Sequence, residues 1–411
     1  MSGFSQQIAD CYANYKENSF QGRRFSYAFF SSLISKLKKE LRLEIAEAGV
    51  SEENRAIYQI KFGTGKTKLM LWSQMHGDEP TATMAIFDLL NFLTNPPRTL
   101  VDTVLGWSQE FSIYFIPVLN PDGLTRFSRF NALGIDLNRD AMAQQAKESE
   151  LLWKLHSEIQ PDFAFNLHDQ DRFYSVGDSL NPATISFLAN PIGELEKTPE
   201  RVKSMQLICQ MNVALQKLIP NQVGRYVADF DPTSFGDSFQ KVGKCTLLIE
   251  SGASKNDWDR NVARKMNFVA ILVAFESIRT KSYEVFSESD YHQTPQNKSR
   301  MFDFLIRKVK FKAFDKEFEL DLGLNILENM DGNKPRYRLV LENFGDLQNN
   351  DTFHDLKGGS VSLRIEGNGM MDFENPDEID EMLKAVEILT AVSDDENNTA
   401  YLYRGMEIGI Y

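Results

Sequence analysis

His76 and Glu79 stand three residues apart, with Gly77 and Asp78 between them, where the apolar run Leu69-Met70-Leu71-Trp72 gives way to a helical pattern. An imidazole and a carboxylate at that spacing, at the mouth of a sheet, suit a divalent metal held in the open. Two other apolar runs end in the same way: Phe163 to Leu167 is followed by His168, and Cys245 to Ile249 by Glu250. Three strand ends thus offer His-x-x-Glu, His and Glu, which is a ligand set plus a general base for metal-assisted hydrolysis. Of the five histidines, His156 falls in a helical stretch and His354 in a polar loop, so neither joins the set. A lone histidine is most simply a satisfied imidazole, but two at strand ends beside acidic residues point to ligation. Asp78 is an alternative ligand by spacing. Either carboxylate alone would also serve as a first-turn residue favoured by the helix dipole.

Several elements must position these groups. Phe25 to Leu41 reads as a helix, followed by strands near Ala56–Phe62 and Lys68–Trp72. Between those strands, Phe62-Gly63-Thr64-Gly65-Lys66-Thr67 lacks the first glycine of a phosphate-binding loop, since Ile60 stands there, and reads instead as a hairpin turn. Ala82, Ala85, Ile86, Leu89, Leu90 and Leu93 repeat at helical spacing and predict an amphipathic helix, with Pro80 suited to its first turn. Ser112 to Leu119 is an apolar strand ended by the turn residues Asn120-Pro121-Asp122-Gly123. Lys203–Ile219 and Asn261–Ile278 read as long helices. Near-continuous apolar strands separated by helices predict an α/β sheet covered on both faces, with its site at the strand ends.

At 411 residues the chain exceeds what one core usually serves, and its texture changes toward the end. From Phe286 to Tyr411 there are 25 acidic against 14 basic residues, a net −11 out of −13 for the whole. Alternating apolar positions from Met301 on, with a further strand at Val361–Ile365 and an acidic helix at Pro376–Leu389, predict a small acidic β-rich domain over 286–411 after a catalytic domain over 1–285. The acidic balance argues against nucleic acid as partner. No apolar stretch is long enough to span a bilayer. Three scattered cysteines and no basic-apolar leader point to the cytoplasm rather than a disulfide framework.

Between the first two metal elements run Asn120-Pro121-Asp122-Gly123 and then Arg129 through Asp136-Leu137-Asn138-Arg139. His-x-x-Glu, the Asn-Pro-Asp-Gly turn, Arg with Asp-Leu-Asn-Arg, a strand-final His and a strand-final Glu follow one another in the order found in the zinc carboxypeptidase superfamily. The resemblance covers roughly Gln74 to Gly252. It implies a mixed, mostly parallel twisted sheet with helices on both faces. It also implies one Zn²⁺ bound by His76, Glu79 and His168, with a fourth position left for water. Glu250 would then be the general base and Arg129 the group that stabilises the developing oxyanion, while Asn138 and Arg139 hold the free carboxylate of the substrate.

One feature departs from that pattern. The family's substrate-covering tyrosine lies about twenty residues before the catalytic Glu, whereas Tyr226 lies 24 before Glu250, with Tyr174 as another aromatic candidate. Asp229, Asp231 and Asp237 fall where a specificity pocket is expected and would suit a basic group. The leading expectation is a metallocarboxypeptidase acting on a peptide. A second is an N-acyl amino acid deacylase resembling aspartoacylase and succinylglutamate desuccinylase, and a third is a non-catalytic binding protein, which would have no use for Glu250.

Overall fold

The computed structural model describes residues 2–193, 197–227, 229–313, 316–331, 334–357, 364–365, 371–373 and 408–409. The chain divides into two compact units, Met1–Lys298 and Ser299–Tyr411.

The first unit is built on eight strands: β1 (Leu43–Val50), β2 (Ala56–Phe62), β3 (Thr67–Ser73), β4 (Phe111–Ile116), β5 (Phe163–Asp169), β6 (Ile185–Ala189), β7 (Val223–Arg225) and β8 (Cys245–Ser251). They lie in the order β1-β2-β4-β3-β5-β8-β6-β7. The central pairs β4-β3, β3-β5 and β5-β8 are parallel, as is β6-β7, whereas β1-β2, β2-β4 and β8-β6 are antiparallel. The sheet is therefore mixed and mostly parallel.

Alternate side chains of each central strand enter different cores, because successive residues point to opposite faces. Leu69, Leu71, Phe163, Phe165, Leu247 and Ile249 pack with helices α1 (Thr81–Thr94), α3 (Pro199–Leu215) and α5 (Asn261–Thr280). Met70, Trp72 and Ala164 pack on the other face with α2 (Lys147–Ile159) and α4 (Phe235–Lys241). Helices thus cover both faces.

Two local expectations change. The segment after β2 is not a hairpin turn, because β4 is inserted between β2 and β3. The Gly63–Lys66 stretch instead crosses the end of β4, with Gly65 N donating to Phe111 O at 2.9 Å. Helix α1 is not amphipathic but buried almost all round. Its outward Asp88 is taken up by the buried Arg264 guanidinium, at 2.6 and 2.8 Å, and by the Tyr12 hydroxyl at 3.0 Å. A buried carboxylate is tolerated when it is paired and hydrogen-bonded in this way.

In the second unit, strands Met301–Ala313, Lys316–Asp331, Lys334–Gly345 and Asp351–Lys357, with Met371–Phe373, form a five-stranded sheet. This is the separate β-rich unit expected from the alternation. The expected acidic helix at 376–389 lies outside the described residues. Of the strand expected at 361–365, Arg364–Ile365 is described, paired with Ile408–Gly409. Among the described residues no helix is long and apolar enough to cross a membrane, and Cys11, Cys209 and Cys245 are free thiols.

Candidate metal centre and cleft

Beyond the C-terminal ends of β3, β5 and β8, the apolar side chains of the α2/α4 face give way to polar ones. On β5, Ala164 is followed at the same face by Asn166 and His168; on β8, Leu248 is followed by Glu250. His168 and Glu250 are register partners across the parallel pair, so they emerge side by side. All eight expected site residues line one cleft of about 510 Å³: His76, Glu79, Arg129, Asn138, Arg139, His168, Tyr226 and Glu250.

The His76–Glu79 loop is held from behind. Asn120 donates from its backbone to Gln74 O (3.0 Å) and from its side chain to Met75 O (3.1 Å). Its Oδ1 accepts from Gly123 N at 2.8 Å, so Asn120-Pro121-Asp122-Gly123 is the capped start of a short helix, Pro121–Arg126, rather than a simple turn. Asp122, fully buried, accepts from Ser51 Oγ and Glu53 N and so fixes that helix to the loop after β1. Gly77 sits against Gly123 so closely that a Cβ on Gly77 would come within 1.9 Å of the Gly123 carbonyl carbon.

Within the loop, His76 Nδ1 lies 2.7 Å from Glu79 Oε1, and His168 Nδ1 lies 2.7 Å from Glu79 Oε2. The three donor groups come within 4.8 Å of one another, and Asp78 does not belong to that group. Two imidazole nitrogens and one carboxylate oxygen, nearly buried and converging, match the donor chemistry of a catalytic zinc site. The far nitrogen of His76 meets Asp136 Oδ1 at 3.0 Å. With a metal bound, a proton held there would leave Nδ1 to offer its lone pair to the ion, the arrangement that a metal-ligating histidine needs. The residues present therefore fit a Zn²⁺ ion.

Charge is arranged to match. Burial opposes the charge on His76, but Glu79 and Asp136 outweigh it and hold the imidazole up at about 9. Burial likewise opposes ionised Glu79, yet His76 and His168 keep its carboxyl well below the usual range. For His168 burial wins, and its imidazole is pushed down. Burial also pushes Glu250 well above its ordinary value, with Glu79 and Asp169 adding to it. Its Oε2 is buried without a hydrogen-bond partner, which suits a base that awaits a proton from a reactant.

Arg129 is anchored by Asp136, through Nε at 3.0 Å and a second nitrogen at 2.9 Å, and it reaches Glu79 at 3.5 Å. Asp136 thus orients both His76 and Arg129. Its position in Asp-Leu-Asn-Arg was visible in the sequence, and a carboxylate partner for a ligand histidine was the signal that identifies it. Asn138 accepts from Phe235 N at 3.1 Å, which ties it to the start of α4. Arg139 is half exposed and pairs with Asp231 at 3.2 Å. Tyr226 follows β7 and is fixed by a backbone bond to Phe187 O; its ring meets Tyr174 edge-on at 6.0 Å, and both line the cleft. Asp237 is committed to Asn190 and to the Asp231 backbone; Asp231 accepts from Thr233 through Oδ1 and meets Arg139 through Oδ2, and Asp229 also lines the cleft.

Parts of the chain resemble known proteins. A model of the zinc carboxypeptidase family matches residues 32–167, a span that includes His76, Glu79, Arg129, Asn138 and Arg139. The Carboxypeptidase 2 of Trichophyton equinum is 23% identical over 189 residues, which are 44% of this chain and 29% of that protein. The match therefore spans less than a third of the curated relative. Among solved structures, a metallo-carboxypeptidase from Burkholderia cenocepacia aligns with a TM-score of 0.50 at 16% identity, over 63% of this chain and 70% of its own. One from Pseudomonas aeruginosa, in complex with (2-guanidinoethylmercapto)succinic acid, aligns at 0.50 and 17% identity, over 62% and 69%. Residues 32–167 thus resemble the zinc carboxypeptidase family in sequence, and about three-fifths of the chain shares the fold of a solved metallo-carboxypeptidase.

Proposed function

We propose that the protein is a zinc-dependent metallocarboxypeptidase that hydrolyses the C-terminal amide bond of a peptide. The observation that carries this reading is the convergence of His76 Nδ1 and His168 Nδ1 on Glu79, with Glu250 beside His168, in the same cleft as Asn138 and Arg139.

His76, Glu79 and His168 would hold the metal. A Zn²⁺ ion bound there supplies Lewis-acid polarisation and makes water acidic enough to attack near neutral pH. Glu250 takes the proton released on attack and returns it to the leaving amine. Arg129, locked by Asp136, presents its guanidinium to the developing oxyanion. Arg139 and the Asn138 amide receive the substrate carboxylate, Arg139 by exchanging Asp231 for it. Tyr226 and Tyr174 line the same cleft.

A terminal residue with a basic side chain fits this exchange, since Asp231 and Asp229 are then available to its cation. The molecule bound to the Pseudomonas protein carries a guanidino group and two carboxyls, a charge pattern that the Arg139 and Asp231 pair would also complement. The carboxypeptidase matches support a peptide over an N-acyl amino acid.

The test is mass-spectrometric profiling of the zinc-loaded protein on peptides with free C-termini, beside N-acetyl and N-succinyl amino acids. Release of single C-terminal residues is the expected result. Cleavage of the N-acyl amino acids alone would transfer the assignment to a deacylase. Absence of stoichiometric zinc after incubation with the metal would end both.

A further inference from the structure

Arg260 stands where local physics disfavours an arginine. It has left-handed backbone angles (φ 55°) and directly precedes α5, so its cation sits at the positive end of a twenty-residue helix. Its side chain is only 11% exposed, and burying a charge is costly unless it is paired and hydrogen-bonded. Three local penalties at one residue indicate that something beyond α5 itself holds it there.

Its contacts supply that. Arg260 Nη1 donates to Gln170 O at 2.9 Å and to Ser251 O at 2.5 Å. Those carbonyls belong to the residues that follow Asp169 at the end of β5 and Glu250 on β8, where Gln170 N also donates to Ser251 O at 2.9 Å. The same nitrogen lies 3.8 Å from Asp169 Oδ2. That oxygen accepts from Thr81 Oγ1 at 2.6 Å, in the first turn of α1, two residues beyond Glu79. The Asp169 backbone N–H in turn donates to Glu79 Oε2 at 3.1 Å. One guanidinium therefore touches, directly or through Asp169, each of the three segments that carry Glu79, His168 and Glu250. Its own place is set by Asp257, whose carboxylate accepts from Asn261 N and Val262 N.

We infer that Arg260 is a positioning residue for the metal centre: it braces the paired ends of β5 and β8 and so fixes Glu250 relative to His168 and Glu79. Both carbonyls are met by the one Nη1, whose two N–H bonds are fixed in the guanidinium plane, whereas a lysine ammonium rotates on its stem. The inference rests on the metal-site reading above, and its test is chosen to fail separately from it.

The full chain is compared as wild type, Arg260→Met and Arg260→Lys by amide hydrogen exchange, by the absorption spectrum of bound Co²⁺, and by kcat and KM per metal-loaded site. Arg260→Met is expected to speed exchange at residues 168–170 and 250–252, to alter the Co²⁺ bands, and to lower kcat about 10- to 100-fold with KM nearly unchanged. Arg260→Lys should fall between. Wild-type exchange and an unchanged Co²⁺ spectrum in Arg260→Met would overturn the inference, as would a loss of activity matched only by loss of folded protein. If Arg260→Met does not fold, Arg260→Lys decides on the same readouts. If the wild type hydrolyses nothing, the function proposed above fails while the spectrum and the exchange still decide this one; if it binds no Co²⁺, exchange alone does.

Discussion

His168 and Glu250 face each other across two adjacent parallel strands, as register partners on the same face of the sheet. The proposed metal ligand and the proposed base are thus spaced by a backbone ladder and not by a loop. Glu250→Gln should therefore lower kcat by about 10²–10⁴-fold while zinc content, read by atomic absorption, stays at the wild-type level. Zinc loss in that variant would make Glu250 a ligand. Because burial, Glu79 and Asp169 raise its carboxyl, Glu250 holds its proton to a higher pH than an ordinary glutamate. Activity should fall on the acid side as Glu250 protonates, and the pH profile of kcat/KM should show that limb displaced upward from 4.5.

Asp136 binds the far nitrogen of His76 and the guanidinium of Arg129. Asp136→Ala should weaken zinc affinity about 10- to 100-fold in competition with a coloured chelator, and kcat should drop further through the released Arg129. Wild-type zinc affinity in this variant would refute the orienting role.

Arg139 already holds Asp231, so the substrate carboxylate proposed to bind there would compete with it. For a peptide ending in a neutral residue, Asp231→Asn should lower KM a few-fold, a modest change expected of a half-exposed pair. Amidating the terminal carboxyl should instead cost the wild type most of its kcat/KM. Equal turnover of amide and acid would remove Arg139 from substrate binding.

His156 is buried, stacks on Phe239 at 4.1 Å, and has no partner for its Nε2. Burial, with Lys244 adding to it, holds its imidazole down at about 4. A histidine kept neutral in the fold contributes stability that is complete above its unfolded value near 6.5 and is lost as pH falls from there toward 4. The loss from this group is about 3 kcal/mol at the acid end. Urea unfolding of wild type and His156→Phe between pH 7 and 4 should show the wild type losing more; parallel curves would contradict it.

Much of the site was legible because its residues are rare and placed at strand ends. His168 and Glu250 each close an apolar run within a strand, and the period-2 rule then puts them on one face, while His76 stands in the loop just after β3. What remained hidden depends on who neighbours whom. The partner of β2 is β4, which lies some fifty residues on, so no local pattern could exclude a hairpin. Helix α1 carries Asp88 on its outward face, and only the distant Tyr12 and Arg264 make that position interior. Arg260 reads in the sequence as an ordinary charge before a helix, since its acceptors are carbonyls, and backbone oxygens leave no signature in side-chain types.

The contact between Gly77 and Gly123 has a consequence for mutational tolerance. A methyl group on Gly77 would strike backbone and not a movable side chain, so no neighbouring substitution can make room for it. In a saturation library scored for activity, position 77 should accept glycine alone, and second-site suppressors should not be recoverable. A selection for altered substrate preference would then find its variation on the Asp229–Asp231 wall, with the loop that holds His76 left untouched.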